Sequence, residues 1–174
     1  ESIATLRAVW SGETVSAEGA AGVGWSARSV SAQPLPRQRP GPPLWFGGNS
    51  LRAMRRAVEC GDGWSPFPTP GGLDRAARTA SITCVEDLTG RIERLEELCA
   101  DHARSTRPVI CFSPFTLGDY LADPDGSLGA MVEEVEQLGQ IGVDWLCLTV
   151  PGSTRSEVLE RAAELGQSLG VAPV

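Results

Sequence analysis

No lysine occurs anywhere in the 174 residues, histidine and tyrosine occur once each, and aromatic residues make up only 6% of the chain. Each scarcity closes a route. Without lysine there is no Schiff-base nitrogen and no lysine to hold a phosphate, so any anion falls to arginine or to backbone N–H groups. His102 stands between Asp101 and Arg104 at a polar helix end, where a solvent-exposed role is expected. It supports no Ser-His-Asp or Cys-His dyad and no histidine-rich metal site. The five cysteines, Cys60, Cys84, Cys99, Cys111 and Cys147, include no CxxC pair. Cys111 and Cys147 lie in apolar runs and read as reduced core residues of a cytosolic protein. No apolar run approaches the length of a membrane span and no basic-plus-apolar leader opens the chain, so a soluble, cytoplasmic protein is expected.

What is present sets the scale. With 41% hydrophobic residues the chain is long enough for one domain, or part of one. Twenty-two acids against fifteen arginines give a net charge of −7, which makes nucleic acid and anionic membrane poor partners. Arginine in place of lysine, with abundant Ala, Gly and Pro, reads as the codon bias of a GC-rich genome. The first residue is Glu1 rather than Met, so a piece of something longer is expected.

The most informative stretch is PPLWFGGNSLRAMRRAVECGDGW, Pro42 to Trp64. Pro42 and Pro43 suit the mouth of a strand, and Leu44, Trp45 and Phe46 suit a buried one. Gly47 and Gly48 end it, Asn49 or Ser50 caps a helix with Leu51, Met54, Ala57 and Val58 on one face, and Gly61 is expected as a left-handed stop. Two glycines allow close approach of a ligand, and the first-turn N–H groups of a helix lack internal partners, which suits a phosphate. A plain tight turn between strand and helix explains the same residues. The spacing fits neither a Walker loop nor GxGxxG.

Elsewhere, residues 2–10 read as a helix and 11–41 as a long irregular excursion, with few apolar clusters apart from Val23, Trp25 and Val30. Further strands are expected at Gly63 to Phe67, Pro108 to Ser113 and Trp145 to Val150. Helices are expected from a capping box at Thr83 to Glu86, from Ser127, and from a capping box at Thr154 to Glu157. The last bears Val158, Leu159, Ala162, Leu165 and Leu169. Alternating strands and helices imply parallel βα units.

The line PPLWFGGNS, the helix containing Arg55-Arg56-Ala57 and the GDGW segment resemble the luciferase-like monooxygenase family of flavin and deazaflavin enzymes. Leu6 to Gly12, reading LRAVWSG, and Pro34, Pro36 and Gln38 extend the resemblance upstream. It implies an α/β chain forming the C-terminal half of a TIM (β/α)8 barrel, one partial domain with residues 1–41 as helix plus insertion and 42–174 as four βα units. Two exposed edges then call for a partner, either self-association or an N-terminal half-barrel.

By the same resemblance Gly47, Gly48, Asn49 and Ser50 bind the phosphate of coenzyme F420 or of FMN, the deazaflavin-dependent actinobacterial branch being placed first. The implied function is oxidoreduction of a small-molecule substrate, by hydride transfer with F420 or monooxygenation with reduced FMN. The alternative is a non-catalytic half-barrel or association module that binds at most the phosphate. No catalytic residue is assigned, because family residues contacting ring and substrate come largely from strands this chain lacks, and no metal site is expected.

Among other polar residues, Arg52, Arg55 and Arg56 are expected to pair on the surface with residues such as Glu59. Asp62 reads as a turn former, as do Asp123 and Asp125 around Pro124. Trp45, Trp64 and Trp145 are expected in the core, Phe112 to Phe115 as a ring-pocket wall, and Glu133, Glu134 and Glu136 on a solvated helix face.

Overall fold

The computed structural model describes residues 2–18 and 24–171, so Val23 lies outside the described residues. The chain divides into two units, Glu1–Leu44 and Trp45–Val174.

In the first unit, helix α1 (Ser2–Ser11) forms as its pattern predicts, although none of its residues is buried. The stretch after it is less irregular than its composition suggests. Strands β1 (Val15–Glu18) and β2 (Ser26–Val30) pair antiparallel, Val15 opposite Val30 and Ala17 opposite Ala27, with a register shift between Val15 and Ala17. Ser29, at φ 49°, donates its N–H to Ser16 Oγ at 3.0 Å. Short polar and small side chains carry this pair, so no run of branched or aromatic residues announced it.

The second unit runs β3 (Trp45–Gly47), α2 (Leu51–Cys60), β4 (Gly63–Ser65), a 3₁₀ turn at Pro70–Gly72, α3 (Leu73–Ala77), α4 (Val85–Asp101), β5 (Val109–Phe112), α5 (Leu117–Ala122), α6 (Pro124–Gln140), β6 (Trp145–Leu146) and α7 (Arg155–Ser168). The four strands form one parallel sheet in sequence order, with Trp45 beside Gly63, Phe46 beside Trp64, Trp64 beside Ile110 and Cys111 beside Trp145. Four consecutive βα units of this sense make the α/β half-barrel expected from the sequence. Phe46, Trp64, Ile110, Phe112 and Leu146 pack with Met54, Ala57 and Val58 of α2 and Leu88, Ile92, Leu95 and Leu98 of α4 in the main core. A second cluster joins Tyr120, Met131 and Leu165 with Leu148 and Val150.

Local chemistry shifts several boundaries. The N-cap of α4 is Cys84, not Thr83, because the Asp87 carboxylate accepts both the N–H and the hydroxyl of Thr83 at 2.8 Å. These bonds hold the Asp87 carboxyl below its usual range. Helix α6 starts at Pro124, three residues before Ser127. Asp123 caps it by accepting from Gly126 N, and proline suits the first helical position. The Thr154–Glu157 capping box forms as expected. Gly61 is extended, φ −102°, rather than left-handed. Its lack of a side chain matters for space, since a Cβ there would lie 2.6 Å from the Phe46 ring. Leu159 is 59% exposed, so the stripe of α7 is narrower than its spacing suggested.

Arg104 compensates for the missing Schellman turn. Its Nη1 lies 2.7–3.0 Å from the carbonyl oxygens of Ala57, Val58 and Gly61, and its Nε donates to Thr106 O at 2.7 Å. A guanidinium at the carboxyl end of α2 satisfies orphan carbonyls and complements the helix dipole. Arg104→Ala is expected to lower unfolding stability by about 1–3 kcal/mol, as for a lost charge-assisted bond. Urea denaturation read by circular dichroism measures it, and an unchanged midpoint would contradict the capping role.

Candidate functional site

The carboxyl ends of the strands are where a (β/α)8 scaffold carries ligands, and Gly47–Ser50 lies at the first of them. Gly47 closes β3 and is exposed. Gly48 adopts φ +109°, a conformation that strains any residue with a Cβ, and donates its N–H to Ser65 O at 3.2 Å. Its own carbonyl accepts the Trp64 indole N–H at 2.8 Å. Ser50 caps α2, its hydroxyl accepting from Ala53 N at 3.2 Å.

Asn49 is fully buried, and its side chain faces inward to the protein. The Nδ2 group donates to Phe67 O at 2.9 Å and Ala80 O at 3.0 Å, while Oδ1 accepts Phe67 N at 2.9 Å. Its backbone N–H goes to Thr79 Oγ1 at 2.9 Å. Thr69, also buried, closes the same loop by exchanging bonds with Ile82: the Thr69 N–H to Ile82 O and the Ile82 N–H to Thr69 Oγ1, both 2.8 Å. The 66–83 loop is thus tied down beside the glycines. Thr69 and Thr79 were missed by sequence reading, since neither lies in a periodic element.

The N–H groups of Gly48 and Asn49 are therefore committed within the fold, which leaves the start of α2. Leu51 and Arg52 open the helix and have no preceding helical carbonyl to bond. No acid lies in this first turn, so the positive end of the helix dipole is not offset there. Arg52, Arg55 and Arg56 are exposed. Glu59, the pairing partner expected for them, instead stands 3.5 Å from His102 Nε2, and His102 Nδ1 lies 2.9 Å from Leu98 O, so the histidine caps a helix end.

Other predicted residues separate. Asp62 accepts Val109 N through its carbonyl at the amino end of the sheet, away from Gly47–Ser50. Glu134 is a correction: it is buried rather than solvated, accepting the N–H groups of Phe115 and Thr116 and the Thr116 hydroxyl at 2.6–2.9 Å. Its spacing with Met131 and Leu138, on one helical stripe, was the available signal. Phe112 and Phe115 pack 5.1 Å apart in and against the core. Burial pushes the Cys99 and Cys111 thiols up, disfavouring a thiolate at either. Cys147 is exposed, not in the core, as is Trp145 two residues before it. Among the described residues no three His, Cys, Asp or Glu side chains form a metal set. No described helix is long and apolar enough to cross a membrane.

Two clefts lie elsewhere on this unit. One of about 530 Å³ is lined by Asp125, Glu157, Glu160, Arg161 and Glu164, where Arg161 holds the Asp125 carboxyl below its usual range. Another of about 440 Å³ runs between Thr83–Glu86 and Phe115–Thr116. Neither is lined by the glycines, and the acidic lining of the first suits no phosphate.

The fold and the turn define half of a (β/α)8 barrel with a strand-glycine-helix turn at its carboxyl edge. Residues 1–83 match the family model of luciferase-like monooxygenases, which bears out the resemblance read from Leu6–Gly12 and Pro42–Trp64. Among solved structures, an F420-dependent secondary alcohol dehydrogenase in complex with an F420-acetone adduct matches with a TM-score of 0.63 at 12% identity, over 96% of this chain and 59% of that one. The monooxygenase RslO1 from Streptomyces bottropensis matches with a TM-score of 0.63 at 14% identity, over 94% of this chain and 56% of that one. At these identities the likeness is one of fold. The chain spans less than two thirds of either structure's length. No curated protein matches the chain.

Asn49→Ala would leave Phe67 N, Phe67 O and Ala80 O without their partner. A loss of about 3 kcal/mol or more is expected, from about 1–3 kcal/mol per buried group left unpaired. Ser50→Ala should cost about 1 kcal/mol, as for a lost cap. Denaturant titration of both variants checks the order; an Asn49 variant no weaker than the Ser50 variant would refute the clamp.

Proposed function

We propose that this chain is the C-terminal half-barrel of a flavin- or deazaflavin-dependent oxidoreductase acting on a small molecule, with Gly47, Gly48, Asn49 and Ser50 forming the cofactor's phosphate turn. One observation carries the reading: a glycine at φ +109° delivers the chain from a strand's carboxyl end into a capped helix whose first turn holds no acid. The donor set fits a phosphate: backbone N–H groups at a helix start, with Arg52 exposed on the same turn. Gly47 and Gly48 give close approach. Ser50 fixes the helix start, Leu51 and Arg52 supply N–H donors, and Asn49 acts indirectly by holding the 66–83 loop in place.

Coenzyme F420 is placed ahead of FMN. The wording of the Gly-Gly-Asn-Ser and Gly-Asp-Gly-Trp segments supports it, and so does the cofactor of the dehydrogenase that shares this fold. When bound, such a group supplies the redox chemistry, hydride exchange for the deazaflavin or oxygen chemistry for reduced FMN. No residue of this chain is assigned as a catalytic acid or base. The alternative reading is a non-catalytic half-barrel or association module that binds at most the phosphate.

Titration of the purified chain with F420 and with FMN, followed by cofactor fluorescence, tests the reading. Saturable micromolar binding is expected, tighter for F420. Arg52→Glu places an acid in the first turn of α2 and should weaken binding at least about tenfold, a cost of about 1.4 kcal/mol. Absence of binding to either cofactor by a sample with native circular dichroism would defeat the oxidoreductase reading for this chain.

A further inference from the structure

The 66–83 loop brings two further residues to the Gly47–Ser50 turn. Thr79 Oγ1 accepts the Asn49 N–H at 2.9 Å, and Ala80 O accepts the Asn49 side-chain amide at 3.0 Å. Thr79 is also held from its backbone, donating its N–H to Asp74 O at 3.0 Å. A hydroxyl has one hydrogen to donate besides the lone pairs it offers. The Thr79 hydroxyl uses a lone pair on Asn49, while its hydrogen meets no acceptor among the described residues. Arg78 stands next to it, where helix α3 ends in the left-handed region at φ 49° and ψ 47°, its N–H bonded to Arg75 O and Asp74 O. Glycine takes that position without steric cost, so an arginine there strains the helix end. The Arg78 guanidinium makes no hydrogen bond or ion pair with a described residue, and nothing among them offsets the strain. The surrounding stretch is basic: residues 47–80 hold five arginines against three acids, in a chain where acids outnumber arginines 22 to 15.

We propose that Arg78 and Thr79 complete the phosphate site, the guanidinium supplying its counter-charge and the hydroxyl a donor; this rests on the reading of Gly47–Ser50 as the cofactor's phosphate turn. By itself that turn is short of donors. The N–H groups of Gly48 and Asn49 are taken, which leaves those of Leu51 and Arg52 for a group whose oxygens accept several bonds. Through Thr79 the Asn49 N–H regains a part, because a hydroxyl that accepts from it is polarised into a better donor to an oxyanion. Arg78 provides the charge that no lysine can, on a fork of donors suited to phosphate. The left-handed arginine then has a reason: the helix end gives up the cheaper glycine to keep a cation one residue from the hydroxyl.

Fluorescence titration compares each cofactor with its form lacking the phosphate, riboflavin for FMN and the corresponding ribityl deazaflavin for F420. The unmodified chain is expected to prefer the phosphorylated form. Arg78→Gly and Thr79→Val should each cut that preference at least about tenfold, as for a lost hydrogen bond to a charged group. Thr79→Ser, which keeps the hydroxyl, should retain it, and so should Arg94→Ala, which removes the same charge from the middle of α4. Urea denaturation separates binding from folding. Arg78→Gly relieves the left-handed helix end, so its midpoint should equal or exceed that of the unmodified chain while its affinity falls. A lower midpoint for Arg78→Gly, or equal losses for Thr79→Ser and Thr79→Val, would overturn the assignment of that residue. A preference kept by both Arg78→Gly and Thr79→Val would overturn the proposal and leave the phosphate turn standing. An unmodified chain with no preference for the phosphorylated forms would overturn the turn and the proposal together.

Discussion

The side-chain amide of Asn49 is buried, and each buried polar group left unbonded costs about 1–3 kcal/mol, so the loops that bond it are committed to its position. Phe67 and Ala80 come from two parts of the 66–83 loop, and the amide joins both to the segment between β3 and α2. Thr79 binds the backbone N–H of the same residue. The positive-φ backbone at Gly48, which glycine adopts without strain, sits next to this clamp. The turn is accordingly rigid by construction, with its adaptable groups confined to the start of α2.

The same division of labour recurs around the sheet. Structural duty falls on polar side chains that reach backbone: Glu134 to Phe115 and Thr116, Arg104 to the end of α2, Asp144 to Ile110 N at 2.7 Å. With no lysine in the chain, arginine does the carbonyl capping, and its forked donors can serve several carbonyls where an ammonium acts as a point charge. The helices cover one side of the sheet with aliphatic residues, whereas the other side keeps two tryptophans partly in solvent.

How far the sequence reveals this depends on whether a feature is periodic. The four strands, the long helices and the Thr154–Glu157 box repeat apolar positions or capping residues at fixed offsets, and each is found, although β6 keeps only Trp145–Leu146 of the run expected to reach Val150. The β1–β2 pair has no such repeat, and the starts of α4 and α6 are decided by single carboxylates, Asp87 and Asp123, that compete with nearby cap candidates. The Gly-Gly turn was legible because two glycines end an apolar run and are followed directly by the cap candidates Asn49 and Ser50. Its supports were not, since Thr69 and Thr79 act through loop contacts 13 and 30 residues apart in sequence. Trp45, Trp64 and Trp145 illustrate the limit. Their strands were readable, but which face each occupies depends on register, and one residue of register moves a ring from core to solvent.

One bond described above reaches past architecture. The indole N–H of Trp64 ends on the carbonyl of Gly48, joining a chromophore at the centre of the core to the glycine whose backbone sets the turn. Strands β3 and β4 share that bond with the sheet ladder, so a small rotation of the Gly48 peptide alters the shielding of a single indole proton. The protein therefore carries its own gauge of the turn's geometry, visible in the nuclear magnetic resonance spectrum as one downfield line set apart by burial from those of Trp45 and Trp145.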